Sequence, residues 1–166
     1  MKYSLEEIKK LIKIIYNEHF KCSISMIIYS DDLEKKKILD SIKNIDISQK
    51  VCMYDFFSDE MKEYQNLCLD KNSVVVGYNV DKYCDFLLRK GRIQRKCDFY
   101  MGTFTLVRDS FYLKNEVNLI LVLSNEEFDI FISEYCDDFT DYACIKLEYS
   151  SVKDDKNKLR VKNKYL

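Results

Sequence analysis

Apolar residues recur along this chain in two alternating rhythms, one helical and one extended. From Ser4 to about His19, the positions Leu5, Ile8, Leu11, Ile12 and Ile15 repeat at helical spacing, and Ser4 with Glu7 forms a capping box. Ser25–Tyr29 reads as a short apolar strand. Asp31-Asp32-Leu33-Glu34 repeats the capping spacing and opens a helix that carries Leu33, Lys37, Ile38 and Ile42 to about Asn44. Val51–Tyr54 is a second strand, and Asp59–Cys68 a polar helix. Ser73–Tyr78 is continuous and β-branched, the signature of a strand covered on both faces. Asp81–Leu88 predicts a short helix. Phe99, Thr103, Leu106, Val107 and Phe111 predict one helix from Lys96 to Tyr112, which Gly102 weakens. Val117–Leu123 is a fully apolar strand. Ser124, with Glu127 three residues on, starts a helix through Phe128, Ile132 and Tyr135, and Cys144–Tyr149 is the last strand.

Strands alternate with helices five times, and two strands are apolar throughout. That pattern predicts a three-layer α/β sandwich: a mostly parallel, five-stranded sheet with helices on both faces. Residues 1–150 are expected to form a single domain (helix 4–19, core 24–149), with 151–166 as a polar C-terminal tail. At 166 residues the chain is long enough to bury a real core, and its 47% hydrophobic and 33% charged residues are those of a globular protein. A net charge of −1 gives no global field toward nucleic acid or an anionic membrane. The amino terminus is charged and amphipathic, not signal-like, and no apolar run is long enough to span a membrane, so the expected location is cytoplasmic. The seven cysteines are widely spaced, with no CxxC pair and His19 as the single histidine. They read as buried free thiols in a reducing compartment rather than metal ligands, and no cofactor is expected.

The first strong strand is followed by something missing. A nucleotide-binding α/β protein places there a glycine-rich loop ending in Lys-Ser/Thr, whose bare N–H groups cradle phosphate. This chain has Ser30-Asp31-Asp32-Leu33-Glu34-Lys35-Lys36-Lys37, without a glycine, and its two aspartates would repel a polyphosphate.

In the second half, Leu106-Val107-Arg108-Asp109-Ser110 precedes the strand Asn118–Leu123. A helix from Glu126 to Glu134 follows, then Cys136-Asp137-Asp138-Phe139-Thr140-Asp141-Tyr142. This order resembles the late part of P-loop NTPase-like domains found beside tetratricopeptide arrays in bacterial proteins. The Asp31-Asp32 pair is similar to the residues that replace the phosphate loop in degenerate members, and the resemblance covers roughly Ile24 to Tyr149. The chain departs from the pattern in having no proline before Asp138-Phe139, no tryptophan after it and no helical repeat downstream. The resemblance implies a P-loop-type sheet with the strands before Ser30 and Ser124 adjacent at its centre. It also implies a regulatory or scaffolding role instead of hydrolysis.

Two constellations carry candidate chemistry. Asp31 and Asp32 lie beyond the carboxyl end of a strand, where open α/β sheets bind ligands, and two carboxylates there are a candidate Mg²⁺ site. A receiver-like arrangement would add Asp55 or Asp81, Ser124 and Lys146, but the spacings are long and Lys146 sits inside its strand. The plainer reading is that Asp31 caps its helix and both acids complement the helix dipole. Arg89, Lys90, Arg92, Arg95 and Lys96 place five positive charges in eight residues, flanked by Tyr83, Phe86, Phe99 and Tyr100. Such a segment suits a single-stranded nucleic acid or an acidic protein surface; a solvated loop is the plainer reading. Arg108-Asp109 reads as an ion pair before a phosphate sensor, Asp137, Asp138 and Asp141 as turn formers, and His19 as a helix-end cation. No hydrolase triad is visible. Most of the aromatic residues should be core, but thirteen are tyrosines, and tyrosines left on the surface are typical of recognition patches. The expectation is therefore a non-catalytic regulatory or scaffolding module that binds another macromolecule, a protein first. A nucleotide/Mg²⁺ switch at Asp31 and Asp32 and a nucleic-acid binder at Arg89–Lys96 are the alternatives.

Overall fold

The computed structural model describes residues 1–16, 25–58, 73–99, 118–135 and 144–156. Along the chain these form β1 (Lys2–Tyr3), α1 (Leu5–Tyr16), β2 (Ser25–Ser30), α2 (Asp32–Lys43), β3 (Lys50–Asp55) and β4 (Ser73–Tyr78). There follow α3 (Val80–Arg89), a single turn α4 (Lys96–Asp98), β5 (Asn118–Ser124), α5 (Asn125–Tyr135) and β6 (Cys144–Tyr149). Residues 151–156 are helical (α6). The expected helix 59–68, most of 96–112, and the candidates His19, Arg108, Asp109, Asp137, Asp138 and Asp141 lie outside the described residues.

All strand pairs are parallel, and the sheet order is β1-β6-β2-β5-β4-β3. Among the described residues the expectation of five mostly parallel strands is thus corrected to six, all parallel. The addition, β1, is two residues long, too short to show any period. It is held at the edge by pairing Lys2 with Glu148 and Tyr3 with Tyr149 of β6. β2 and β5 are neighbours in the middle of the sheet, with Ser30 opposite Ser124.

The extended period of two sorts each strand between two cores. On β5, Leu119, Leu121 and Leu123 face one side with Ile27, Val75, Val80, Cys84 and Leu87, while Phe128 and Ile130 of α5 pack against them. Ile120 and Val122 face the other with Ile8 and Ile12 of α1 and Ile38 and Ile42 of α2. Helices therefore cover both faces, each through the apolar stripe that its sequence spacing predicts. Because α2 leaves β2 on one face and α5 leaves β5 on the other, a crevice opens between the carboxyl ends of these two strands.

The start of the expected tail is bound into the fold. Asp154 of α6 is buried; it accepts from the Leu5 amide at 2.8 Å, from the buried Tyr149 hydroxyl and from Lys37. Burial alone would raise its carboxyl pKa, but the hydrogen bonds from Tyr149, Leu5 and Lys37 outweigh it and hold the value below the usual carboxylate range. Stability from this group is thus present above the ordinary aspartate pKa and lost as pH falls through the depressed one. Asp154→Ala should cost about 1–2 kcal/mol in urea unfolding at neutral pH, since it leaves a buried hydroxyl unpaired. The difference from the native chain should shrink in strong acid.

Candidate functional site

The crevice at the carboxyl ends of β2 and β5 is bridged by the chain's own charged groups. Lys35 is the fourth residue of α2 and stands on the same side as Ile38 and Ile42, so the helix carries its ammonium inward instead of into solvent. Its Nζ lies 3.3 Å from Asp81 Oδ1 of α3 and 3.4 Å from Glu127 Oε1 of α5. The Lys35 and Glu127 side chains are only 9% and 6% exposed, so this is a buried ion cluster joining three helices across the switch point. Burial pushes the Glu127 carboxyl up to about 7, opposed by Lys35 and reinforced by Asp81.

Glu127 has a second task, legible in the sequence. The Ser124 amide donates to its Oε1 at 3.3 Å, and the Glu127 amide donates to Ser124 Oγ at 3.2 Å, a full capping box. The same reciprocal pair forms between Ser4 and Glu7 at the start of α1. Asp31 departs from the expected capping role. It stands at the N-cap position of α2 but makes no side-chain cap bond; its Oδ1 accepts from Asn125 Nδ2 at 3.2 Å instead. The Asp31 carbonyl still receives the amides of Glu34 and Lys35. The neighbouring chain end claims the Asp31 carboxylate, because β2 and β5 end in register.

Asp32 is exposed, and among the described residues no group of three His, Cys, Asp or Glu converges as a metal ion requires. Of the receiver-like partners, Asp81 and Ser124 line one small cavity with Asp32, whereas Lys146 and Asp55 lie elsewhere. Lys146 is opposite Ile27 within the sheet, and Asp55 accepts from Asn79 Nδ2 and the Phe57 amide, both at 2.9 Å. Asn79 takes a left-handed backbone, φ 60°, between β4 and α3, a conformation asparagine tolerates. Two cavities share Asp32 and Asp81 as walls. A larger one of 540 Å³ mixes Lys36, Lys43 and Lys82 with Asp40, and a smaller one of 180 Å³ is lined mainly by carboxylates. Cys84 also reaches the smaller cavity, but burial, reinforced by Asp85, pushes its thiol up to about 12, so it is no nucleophile.

Two residues of the basic segment make ion pairs within the chain. Arg95 pairs with Asp98 at 3.0 Å inside the α4 turn, and Lys96 folds back toward Glu126 at 3.5 Å and Asp85 at 3.7 Å. Arg89, Lys90 and Arg92 are exposed around Gly91, whose φ of 68° closes the helix end. Beside them is a feature that sequence reasoning missed: Phe57, just past β3, is 43% exposed and meets the Phe86 ring edge-on at 5.9 Å. Lys90 Nζ stands 5.9 Å from the Phe86 ring centroid. Phe57, Leu88, Lys82, Asp85 and Arg89 line an open groove of 570 Å³.

No family model matches this chain, and no curated protein does. No described helix is long and apolar enough to cross a membrane.

Proposed function

We propose that this chain is a non-catalytic regulatory or scaffolding module, a P-loop-like α/β domain without its phosphate loop, that works by binding another protein. One observation carries the reading: the crevice where such sheets hold a ligand is bridged by the Lys35–Asp81–Glu127 cluster and the Asp31–Asn125 bond, which leave carboxylates on its walls. A triphosphate there would meet carboxylates, while the ammonium that would attract it is already committed on two sides. The adjacency of β2 and β5 fits the P-loop-type sheet that the sequence resemblance implies. The partner surface is the groove of Phe57, Leu88 and Arg89 with exposed Lys90 and Arg92, in which an aromatic anchor is rimmed by positive charge. Its complement is a protein segment combining apolar and acidic residues.

ATP or GTP with Mg²⁺ should give no saturable binding at micromolar to millimolar levels by calorimetry; micromolar binding would overturn the reading. The double reversal Arg89→Glu with Arg92→Glu touches only exposed residues and should lower partner recovery in affinity capture by about tenfold or more. Salt-sensitive retention of single-stranded nucleic acid, lost in the same variant, would reassign the groove.

A further inference from the structure

We propose that the partner segment carries acidic residues between two apolar side chains, and that it crosses the carboxyl edge of the sheet at Lys82 to fill two depressions at once. This rests on reading the chain as a protein-binding module. To the groove at Phe57 and Leu88 it adds a second half, the 540 Å³ cavity between α2, the end of β4 and the start of α3. Leu39, Met53 and Tyr78 form the apolar side of that cavity. Leu39 and Met53 pack against the core that α1 and α2 cover, whereas Phe86 at the groove packs against the core on the other face. The two depressions thus belong to opposite faces of the sheet. Lys82, in the first turn of α3, lines both and joins them over the ends of β3 and β4.

Charge decides what fills them. Lys36, Lys43 and Lys82 are exposed and form no ion pair among the described residues, and the same holds for Arg89, Lys90 and Arg92 at the groove. On the same walls Asp81 is engaged by Lys35 at 3.3 Å and Asp85 by Lys96 at 3.7 Å. Among the described residues, Asp32 and Asp40 are the lining carboxylates left without a counter-ion. The local surplus is positive although the whole chain carries −1, so this edge draws acidic side chains. A nucleic acid fits less well, because a phosphate at every step would meet Asp32 and Asp40. A peptide sets its carboxylates at Lys82 and its apolar side chains against Leu39 and Met53 at one end and Phe57 at the other. Tyr78 adds a donor: burial, reinforced by Asp55, holds its phenol above the ordinary value, so the hydroxyl keeps its proton. At 540 and 570 Å³, both depressions fall in the ~300–1,000 Å³ range of ligand pockets, with room for a side chain and its backbone.

The test is amide NMR of the full chain titrated with an acetylated pentapeptide amide made of leucine, three aspartates and phenylalanine. Saturable binding at high micromolar to millimolar levels is expected, with shifts at residues 36–43 and 78–82 as well as at 57 and 86–92. Asparagines in place of the aspartates, or glycines in place of the apolar ends, should each weaken binding about tenfold. Lys36→Glu with Lys43→Glu changes only exposed residues of the cavity and should weaken it about fivefold, whereas Lys36→Arg with Lys43→Arg should keep the native affinity. Lys82→Glu should weaken it about tenfold and shrink the shifts on both sides. No saturation, shifts confined to 57 and 86–92, unchanged affinity in both charge-reversed chains, or displacement by an equal concentration of oligothymidylate would overturn the two-sided site. Its loss with the Arg89/Arg92 effect on partner capture intact would leave the module reading standing; micromolar ATP binding would remove that reading itself.

Discussion

Replacing Lys35 with methionine is expected to destabilise the fold by about 3 kcal/mol at pH 8 and far less at pH 5. Methionine matches the lysine stem in length and packs beside Ile38 and Ile42, so the loss isolates the charge. At pH 8 the variant leaves Glu127 buried and facing Asp81 without its counter-ion, so it must stay charged unpaired or take up a proton, unfavourable either way. At pH 5 Glu127 is protonated in the folded state, because burial holds its pKa near 7 instead of the ordinary 4.5, and little charge remains to be orphaned. The sign for the native chain follows from the same group. A carboxyl whose folded pKa is raised stabilises fully below the unfolded value, and that stability is lost as pH rises from about 4.5 to about 7. At about 1.4 kcal/mol per pKa unit, the loss is roughly 3 kcal/mol. Glu127→Gln keeps the capping geometry without a titrating proton, so it should flatten this slope and unfold later than the native chain at pH 8. Urea denaturation at pH 5 and pH 8 checks all three chains; a Lys35→Met penalty equal at both pH values would remove the buried-cluster account.

This cluster shows where sequence reasoning succeeds and where it stops. Ser124 and Glu127 are legible as a capping box, because the spacing alone brings their groups together. Lys35 carried a signal that composition conceals: it falls in phase with Ile38 and Ile42, on the inward side of α2, where a charged residue requires a partner. The identity of that partner was not legible, because Asp81 and Glu127 lie on helices that only the strand order brings together. Asp31 failed for the same reason. Local chemistry favours a side-chain cap, but the in-register ends of β2 and β5 place Asn125 within reach. Five of the six strands were visible from their apolar runs; β1 is created by an edge pairing that two residues cannot encode by themselves.

Gly77→Ala is expected to cost about 2 kcal/mol and to blunt partner binding from inside the sheet. Gly77 lies in β4 between Tyr54 of β3 and Leu121 of β5, where conformational freedom is not its use. A Cβ there would stand 2.5 Å from Phe56 Cε2 and 3.1 Å from Leu121 Cδ2. Glycine is needed so that the Phe56 ring, 1% exposed, can approach the strand closely. Phe56 is fixed there by its amide, which donates to the Tyr78 carbonyl at 2.9 Å, and by edge contact with Tyr54 at 5.1 Å. Phe57 follows Phe56 in the turn after β3 and stands against Phe86 at the groove. An added methyl pushes the Phe56 ring away and carries Phe57 with it. Gly77→Ala should therefore lower the urea midpoint and reduce partner capture together, whereas Phe57→Ala should reduce capture alone, because its half-exposed ring contributes little to the core. Unchanged capture by a folded Gly77→Ala chain would separate the strand from the surface and remove Phe57 from the proposed interface.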